Sequence, residues 1–500
     1  MKRSYICSII IPIHPLTISI TMKNTIRFCR AFLIVMACIF SIGISFSQTE
    51  YGAFTATGSG MPVIVVSDYQ CLGINPANLG WNADNHKWHF GIVGLSVSGY
   101  TDAVSKSDLN LLYEDHEYTL AEKQEAARRF SDSRLSFDVG MNGIGVSYQD
   151  PDIGGFAFTM RERGSFNMHL NSTAAELLWL GFNSDYFDYK VIEQGLTIAG
   201  ISTNPKPVAE LFRGSSFSSA WLRDFILGYG RQIVEIKDWS LYGGLSMKYT
   251  MGFAWVDIFV NKDKFFGYSS MSPVFKFEYP QPTPSLDTNG KLRPSGHGFA
   301  FDIGLSGRYK NLWRFGLAIN DIGTMTWNKN VYSASFEATI RKIETPGLGN
   351  ENINEVFDAI VIEDDLMQWE GLNDKKASYP SQMRLGAAYT GVPHIIIGSE
   401  VMIPLNKVPG AQERPVYSLG MQASPLNKFF ISAGFQTGGN YDFHIPIGFS
   451  IKLVPGWEIG LATQDISVLF RNVSPYLSLS FGFMRFSFTQ YERSKEVPQE

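Results

Sequence analysis

The sequence predicts an all-β chain. The expected form is a transmembrane antiparallel β-barrel of about 14 strands, with an N-terminal hatch segment inside its lumen and short helices in its extracellular loops. Three observations carry the prediction: the composition, a period-two hydrophobic alternation, and a regular alternation of short and long connections. Of 500 residues 18% are charged and 14% aromatic, and there are 47 glycines. Soluble domains carry about 25% charge, so this balance suits pleated strands better than helices. No run approaches the roughly 18 uninterrupted apolar residues of a spanning helix, which excludes a polytopic helical membrane protein.

The chain divides into four segments. Residues 1–47 read as a secretory signal peptide, with Met22 the possible true start. Lys23, Arg27 and Arg30 precede the apolar run Ala31 to Ile44, and Ser45 and Ser47 stand at the -3 and -1 positions of a cleavage site. Residues 48–85 precede the first strand, 86–488 form the barrel, and 489–500 are a charged tail. Loss of residues 1–47 leaves 37 Lys and Arg against 47 acids, a net charge of -10, and Cys71 as the sole cysteine. That excludes an intramolecular disulfide, and with no basic footprint no nucleic-acid partner is expected.

Alternation puts successive side chains on opposite faces of a strand. Ile445, Ile447, Phe449, Ile451 and Leu453 oppose His444, Pro446, Gly448, Ser450 and Lys452. The same pattern runs from Phe299 to Arg308, Trp313 to Asn320, Met383 to Tyr389, Tyr417 to Gln422 and Trp457 to Ala462, and in the last strand from Leu477 to Phe483. Tight joints fall at Asp150 to Ile153, Ile236 to Asp238, Lys310-Asn311, Gly391 to Pro393, Pro425 to Asn427 and Pro455-Gly456. Long ones fall at Thr101 to Ser133, Gly164 to Ser218, Asn261 to Gly296, Asp321 to Pro380, Asn406 to Pro415, Thr437 to Phe443 and Gln464 to Ser474. Soluble sheets have no reason to keep every second connection short. Outer-membrane barrels do, with periplasmic turns and extracellular loops, so the expected location is the outer membrane of a Gram-negative cell.

Aromatics near strand ends (Trp88, Trp239, Tyr309, Trp313, Tyr389, Trp457, Tyr476) are expected at the membrane interfaces. Thr119 to Glu122 and Thr173 to Glu176 read as capping boxes opening helices, and Asn352 to Trp369 as a third helix. His86 and His89 are expected on opposite strand faces, and Asp287 to Gly290 as a turn rather than a calcium loop. No motif for hydrolytic, nucleotide or metal chemistry is present, so no cofactor, no metal and no catalysis are expected.

The residues before the first strand do not fit the ladder. A 14-stranded lumen is too wide for side chains alone to fill, and inward faces rich in Gly, Ala and Ser leave room for a plug. Asp68 and above all Asn75-Pro76-Ala77, followed by the 14-strand ladder, resemble the FadL-type outer-membrane proteins. Asn320-Asp321-Ile322-Gly323 and Gly482-Phe483-Met484-Arg485-Phe486 look most like an uncharacterised branch of that group. It includes long-chain fatty acid transporters, aromatic-hydrocarbon channels and PorV of type IX secretion.

The resemblance implies an N-terminal hatch that includes Asp68, with Asn75, Pro76 and Ala77 as the hatch-to-barrel turn. It implies a function in binding or transporting small hydrophobic compounds across the outer membrane, with membrane lipid and a small hydrophobic ligand as partners. The alternative is a PorV-like interaction protein with secreted or surface protein partners. Asp302, Arg308, Arg314, Arg384, Lys452 and Glu458 fall on the inward faces. There they either pair across the lumen to hold the plug or line a substrate path.

Overall fold

The computed structural model describes residues 60–81, 86–103, 105, 118–261, 264–276, 282–336, 339–348, 368–408, 411–412, 414–426, 428–439, 441–454, 456–472 and 475–488. All lie in one compact unit, Ile44–Glu500. The signal peptide, the charged tail and most of the helix expected at Asn352 to Trp369 lie outside the described residues. The last two residues of that expected helix, Gln368 and Trp369, open the strand Gln368–Leu372 instead.

Fourteen antiparallel strands form the barrel wall: β1 Trp88–Thr101, β2 Ser133–Asp150, β3 Gly154–Leu170, β4 Ser216–Ile236, β5 Trp239–Asn261, β6 Gly296–Tyr309, β7 Trp313–Trp327, β8 Gln382–Val392, β9 Ile395–Pro404, β10 Val416–Leu426, β11 Phe429–Gly438, β12 Ile447–Val454, β13 Trp457–Thr463 and β14 Tyr476–Phe488. Each pairs with the next, and β1 closes on β14 from Trp88↔Phe488 to Tyr100↔Tyr476. Closure leaves no unpaired sheet edge, the condition for crossing a bilayer with strands. At one end the hairpins are joined by two or three residues, such as Lys237-Asp238 between β4 and β5. At the other end every connection is longer.

Alternate residues separate cleanly. On β6, Phe299, Phe301, Ile303 and Leu305 are exposed, while Gly298, Ala300, Asp302, Gly304 and Ser306 are buried. Leu227, Leu245, Leu385, Ile397, Leu419, Ile431, Leu461 and Phe481 continue the outward set around the barrel. An exposed apolar surface this continuous is unfavourable in water and is matched by lipid. At the short-turn end, aromatics pair directly across neighbouring strands: Trp88 with Tyr148, Phe156 with Tyr229, Trp239 with Tyr309, Trp313 with Tyr389, and Trp457 with Phe486, at ring-centroid separations of 4.6–6.3 Å. Such cross-strand pairs contribute roughly 0.2–1 kcal/mol each. Tyr476 departs from the expected girdle: it is 2% exposed at the opposite end, packed on Tyr100 and hydrogen-bonded to Gln464.

The long connections carry more structure than short helices. Tyr189–Glu193, Leu196–Pro207 and Thr339–Ile343 form a separate three-stranded sheet. Helix α1, Leu120–Phe130, opens on Thr119 with both capping-box hydrogen bonds. Helix α2, Ser172–Leu180, is capped by Asn171, whose side chain accepts from Ala174 N at 2.7 Å, so Thr173 is not the cap. Asn171 wins because its amide also donates to Leu211 O and Arg213 O, tying the helix start to the loop beyond it. Gly181, with φ of 52°, ends α2. Leu177 packs with Phe187, Val208, Leu211, Ile340 and Ile343, so the helix buries its apolar face within the loops. His86 precedes the strand that opens at Trp88, and its ring meets that of His89 edge-on. Asp287 accepts from Asn289 N, a side-chain turn as expected.

Candidate functional site

The lumen is filled by the chain's own N-terminal segment. A four-residue helix, Pro62–Val65, leads to two 3-10 turns at Asp68–Cys71 and Pro76–Gly80. No hairpin partner or repeating ladder exists for these residues, so their backbone groups are satisfied by local turns, such as Asn75 N to Cys71 O at 2.8 Å, and by side chains. Asn75 Oδ1 accepts from Ala77 N, and its amide donates to Val63 O, Leu305 O and Ser306 Oγ at 3.0–3.2 Å. Asn78 donates to Val63 O and Val66 O and accepts from Trp81 Nε1 and Ser306 Oγ. Gln149 on β2 donates to Leu79 O and Trp81 O. Met61, Val63, Ile64, Cys71, Leu72 and Leu79 are at most 2% exposed and form one apolar cluster with Ala157, Ile226, Ala318 and Ala388 of the wall. Burial pushes the Cys71 thiol up, with Asp68 adding to the effect.

Inward glycines make room for this segment. A Cβ at Gly244 would stand 2.3 Å from Pro76 C, one at Gly155 2.1 Å from Leu79 O, and one at Gly316 2.7 Å from Val63 O. At Gly91 and Gly145 it would enter the Tyr69 ring. The expected small inward faces are therefore a seat shaped to the segment.

Charges fasten the segment and the wall. Asp68, fully buried and held at φ of 59°, accepts from Arg485 Nη2 at 2.7 Å and Nε at 3.1 Å. Arg485 also pairs with Glu458, which accepts from Ser450. Glu400 accepts from Val63 N at 2.9 Å and from Arg384 at 2.9 Å. Farther along the lumen Asp224 pairs with Arg163 at 2.7 Å and accepts from Thr250, Lys248 pairs with Asp321, and Asp302 accepts from Ser246 and from Asp321 N. Between the segment and β7–β14, at the short-turn end, lies a cavity of about 400 Å³. Its walls include Asp68, Gln70, Arg314, His394, Phe430, Lys452, Glu458 and Arg485.

Asn75, Pro76 and Ala77 thus sit against Gly244 and Gly304, and Asp68 against Arg485. Arg314, Lys452 and Glu458 come together at the cavity, whereas Asp302 lies with Lys248 and Asp321, and Arg384 with Glu400. Arg308 and Arg314 approach the Trp81 ring. Sequence reasoning missed Arg485 and Glu400. Strict alternation from Phe481 and Phe483 turns Arg485 outward, but a register shift between Glu458 and Gly460 against β14 turns it inward. The signal was available: outward aromatics change from odd positions to Phe486 and Phe488, which requires an extra residue. A second bulge turns both Asn320 and Asp321 inward. Among the described residues no group of three His, Cys, Asp or Glu could hold a metal ion.

Fold and contents define a transmembrane antiparallel β-barrel whose lumen is occupied by its own N-terminal residues. The chain belongs to DUF5723, a family of unknown function, which matches residues 80–455. No curated protein matches it. Among solved structures it is similar to the TodX deltaS2S3 mutant monoaromatic hydrocarbon channel, at 11% identity and a TM-score of 0.47 over 89% of this chain and 100% of that one. The toluene transporter TodX of Pseudomonas putida follows at 11% identity and 0.43 over 89% and 99%. A FadL homologue of Pseudomonas aeruginosa has 10% identity and 0.38 over 89% and 100%.

Proposed function

We propose that the protein is exported by its signal peptide to the Gram-negative outer membrane, where it binds or passes small hydrophobic compounds as a FadL-like barrel. The reading rests on residues 60–81, whose backbone touches inward glycines of the wall and whose apolar side chains pack against it inside the lumen. An obstructed barrel admits only cargo for which the obstruction or the wall yields, which suits sparse hydrophobic solutes better than bulk polar ones. In this reading Asn75, Pro76 and Ala77 seat the hatch, Asp68 fastens it, and Arg384 and Glu458 hold the groups that meet it. In this reading the protein acts as a binding protein or channel rather than as an enzyme.

Planar-bilayer recording and liposome swelling on the refolded full-length protein test the proposal. Little ion conductance is expected, together with saturable binding of a fluorescent aryl hydrocarbon. Steady large conductance sinks the reading. Removal of residues 48–79 should open a conducting pore; unchanged conductance overturns the hatch assignment.

A further inference from the structure

We propose that the short-turn end of the lumen holds a binding site for one oxyanion, a carboxylate or phosphate on a small molecule, formed by Arg308 and Arg314 against Trp81. The two arginines face each other across β6 and β7. Their guanidinium carbons lie 5.7 and 4.6 Å from the centroid of the Trp81 indole, which is 4% exposed. Neither has a hydrogen-bond or ion-pair partner among the described residues, and the buried Nε of Arg308 is unsatisfied.

The rest of the lumen makes this pair an exception. Arg163 meets Asp224, Arg384 meets Glu400, and Arg485 meets Asp68 and Glu458. Desolvating a cation is costly unless an opposite charge and hydrogen bonds offset it, and two adjacent cations add their repulsion. Stacking on an indole recovers only part of that. The missing component is an anion, and paired guanidinium forks match carboxylate and phosphate oxygens.

Access exists. Arg314 borders the cavity of about 400 Å³, within the size range of small-molecule sites. Lys452 on the same wall lies over the Phe430 ring at 5.3 Å and adds a second positive charge. The acids of that wall, Asp68 and Glu458, are both engaged by Arg485. An oxyanion entering there meets Arg314 and Lys452 on the cavity wall, with Arg308 beside Arg314 on the neighbouring strand.

The test uses the full-length protein in neutral detergent, titrated calorimetrically with inorganic phosphate, decanoate and decanol. Decanoate is expected to saturate one site. Phosphate competing with it points to a free anion as the natural occupant, and decanoate alone to an acid carried on an apolar tail; either supports the site. Changing Arg308→Gln and Arg314→Gln together should weaken anion binding about tenfold or more, the scale of one charge-assisted contact, while Arg314→Lys retains part of it. The double variant should also keep or raise the thermal midpoint of the barrel, because no partner is orphaned. Unchanged decanoate and phosphate binding in the double variant, or no saturable anion binding by the wild type, overturns the inference. Decanol reads the hydrophobic-cargo proposal separately, since it carries no charge.

Discussion

The two halves of the barrel hold the N-terminal segment differently. Strands β1 to β7 run 14–23 residues, while β8 to β14 run 7–13. On the long half the approach at Gly155, Gly230, Gly244 and Gly316 is backbone against backbone. On the short half, Gly386 meets the flexible ends of Ile64 and Val63, and the firm contacts are charged: Glu400 to Val63 N and Arg485 to Asp68. The cavity opens on the side that includes this short half. Steric seats cannot be relieved without moving a strand, whereas ion pairs and side chains can exchange partners. The segment is therefore moulded to one half and latched to the other.

The contrast can be broken most severely at Gly244→Val. A branched side chain there enters the Pro76 backbone, and overpacking of this kind costs about 1–3 kcal/mol or more. The segment should lose its seat, seen as persistent conductance and as proteolysis within residues 60–81; a silent bilayer refutes the moulded half.

Next comes the latch. Arg485→Gln removes the counter-charge of the buried Asp68 and Glu458, an effect of about 3–5 kcal/mol for a broken buried pair. The urea concentration at which residues 60–81 become protease-sensitive should fall, and adding Asp68→Asn should restore part of the loss because the two changes couple. Additive losses would remove the latch from the account.

The loops above the long half offer a smaller effect. Asn171→Ala should cost about 1 kcal/mol, and Thr119→Ala likewise, each read as faster amide exchange in its own helix, whereas Thr173→Ala should change α2 much less. Equal exchange in the Asn171 and Thr173 variants would reverse the cap assignment.

The smallest effect is electrostatic. Hydrogen bonds from Arg128 and Arg129 hold the Glu125 carboxyl below its ordinary value on exposed α1. The support is present above the ordinary glutamate range and is lost as pH falls through the lowered value. Protection factors in residues 120–130, taken against the intrinsic exchange rate at each pH, should therefore fall on acidification, and less so at high salt, where such exposed pairs are screened.

Much of the wall was legible because strand period and turn length are local properties. Trp88 as the first strand, the six short joints and the outward aliphatics all follow from neighbours within a few residues. The inward position of Arg485 was not, since a bulge reverses alternation without changing composition. The partners Arg163 with Asp224 and Arg384 with Glu400 also escaped, because they depend on register between strands rather than on either strand alone. Tyr476 was misplaced for a related reason: its parity faces inward, and nearness to a strand end does not say which face an aromatic occupies.

By itself the sequence determined the all-β class, the 14-strand ladder and its short-turn and long-loop ends, because alternation and turn chemistry act over single hairpins. Only the tertiary structure decided which inward charges neutralise each other, which glycines become a seat, and that Arg308 and Arg314 face Trp81 with no counter-ion among the described residues. Those facts require β1 to meet β14 and residues 60–81 to meet strands hundreds of positions away. Such contacts are set by closure of the barrel, and no local pattern encodes them.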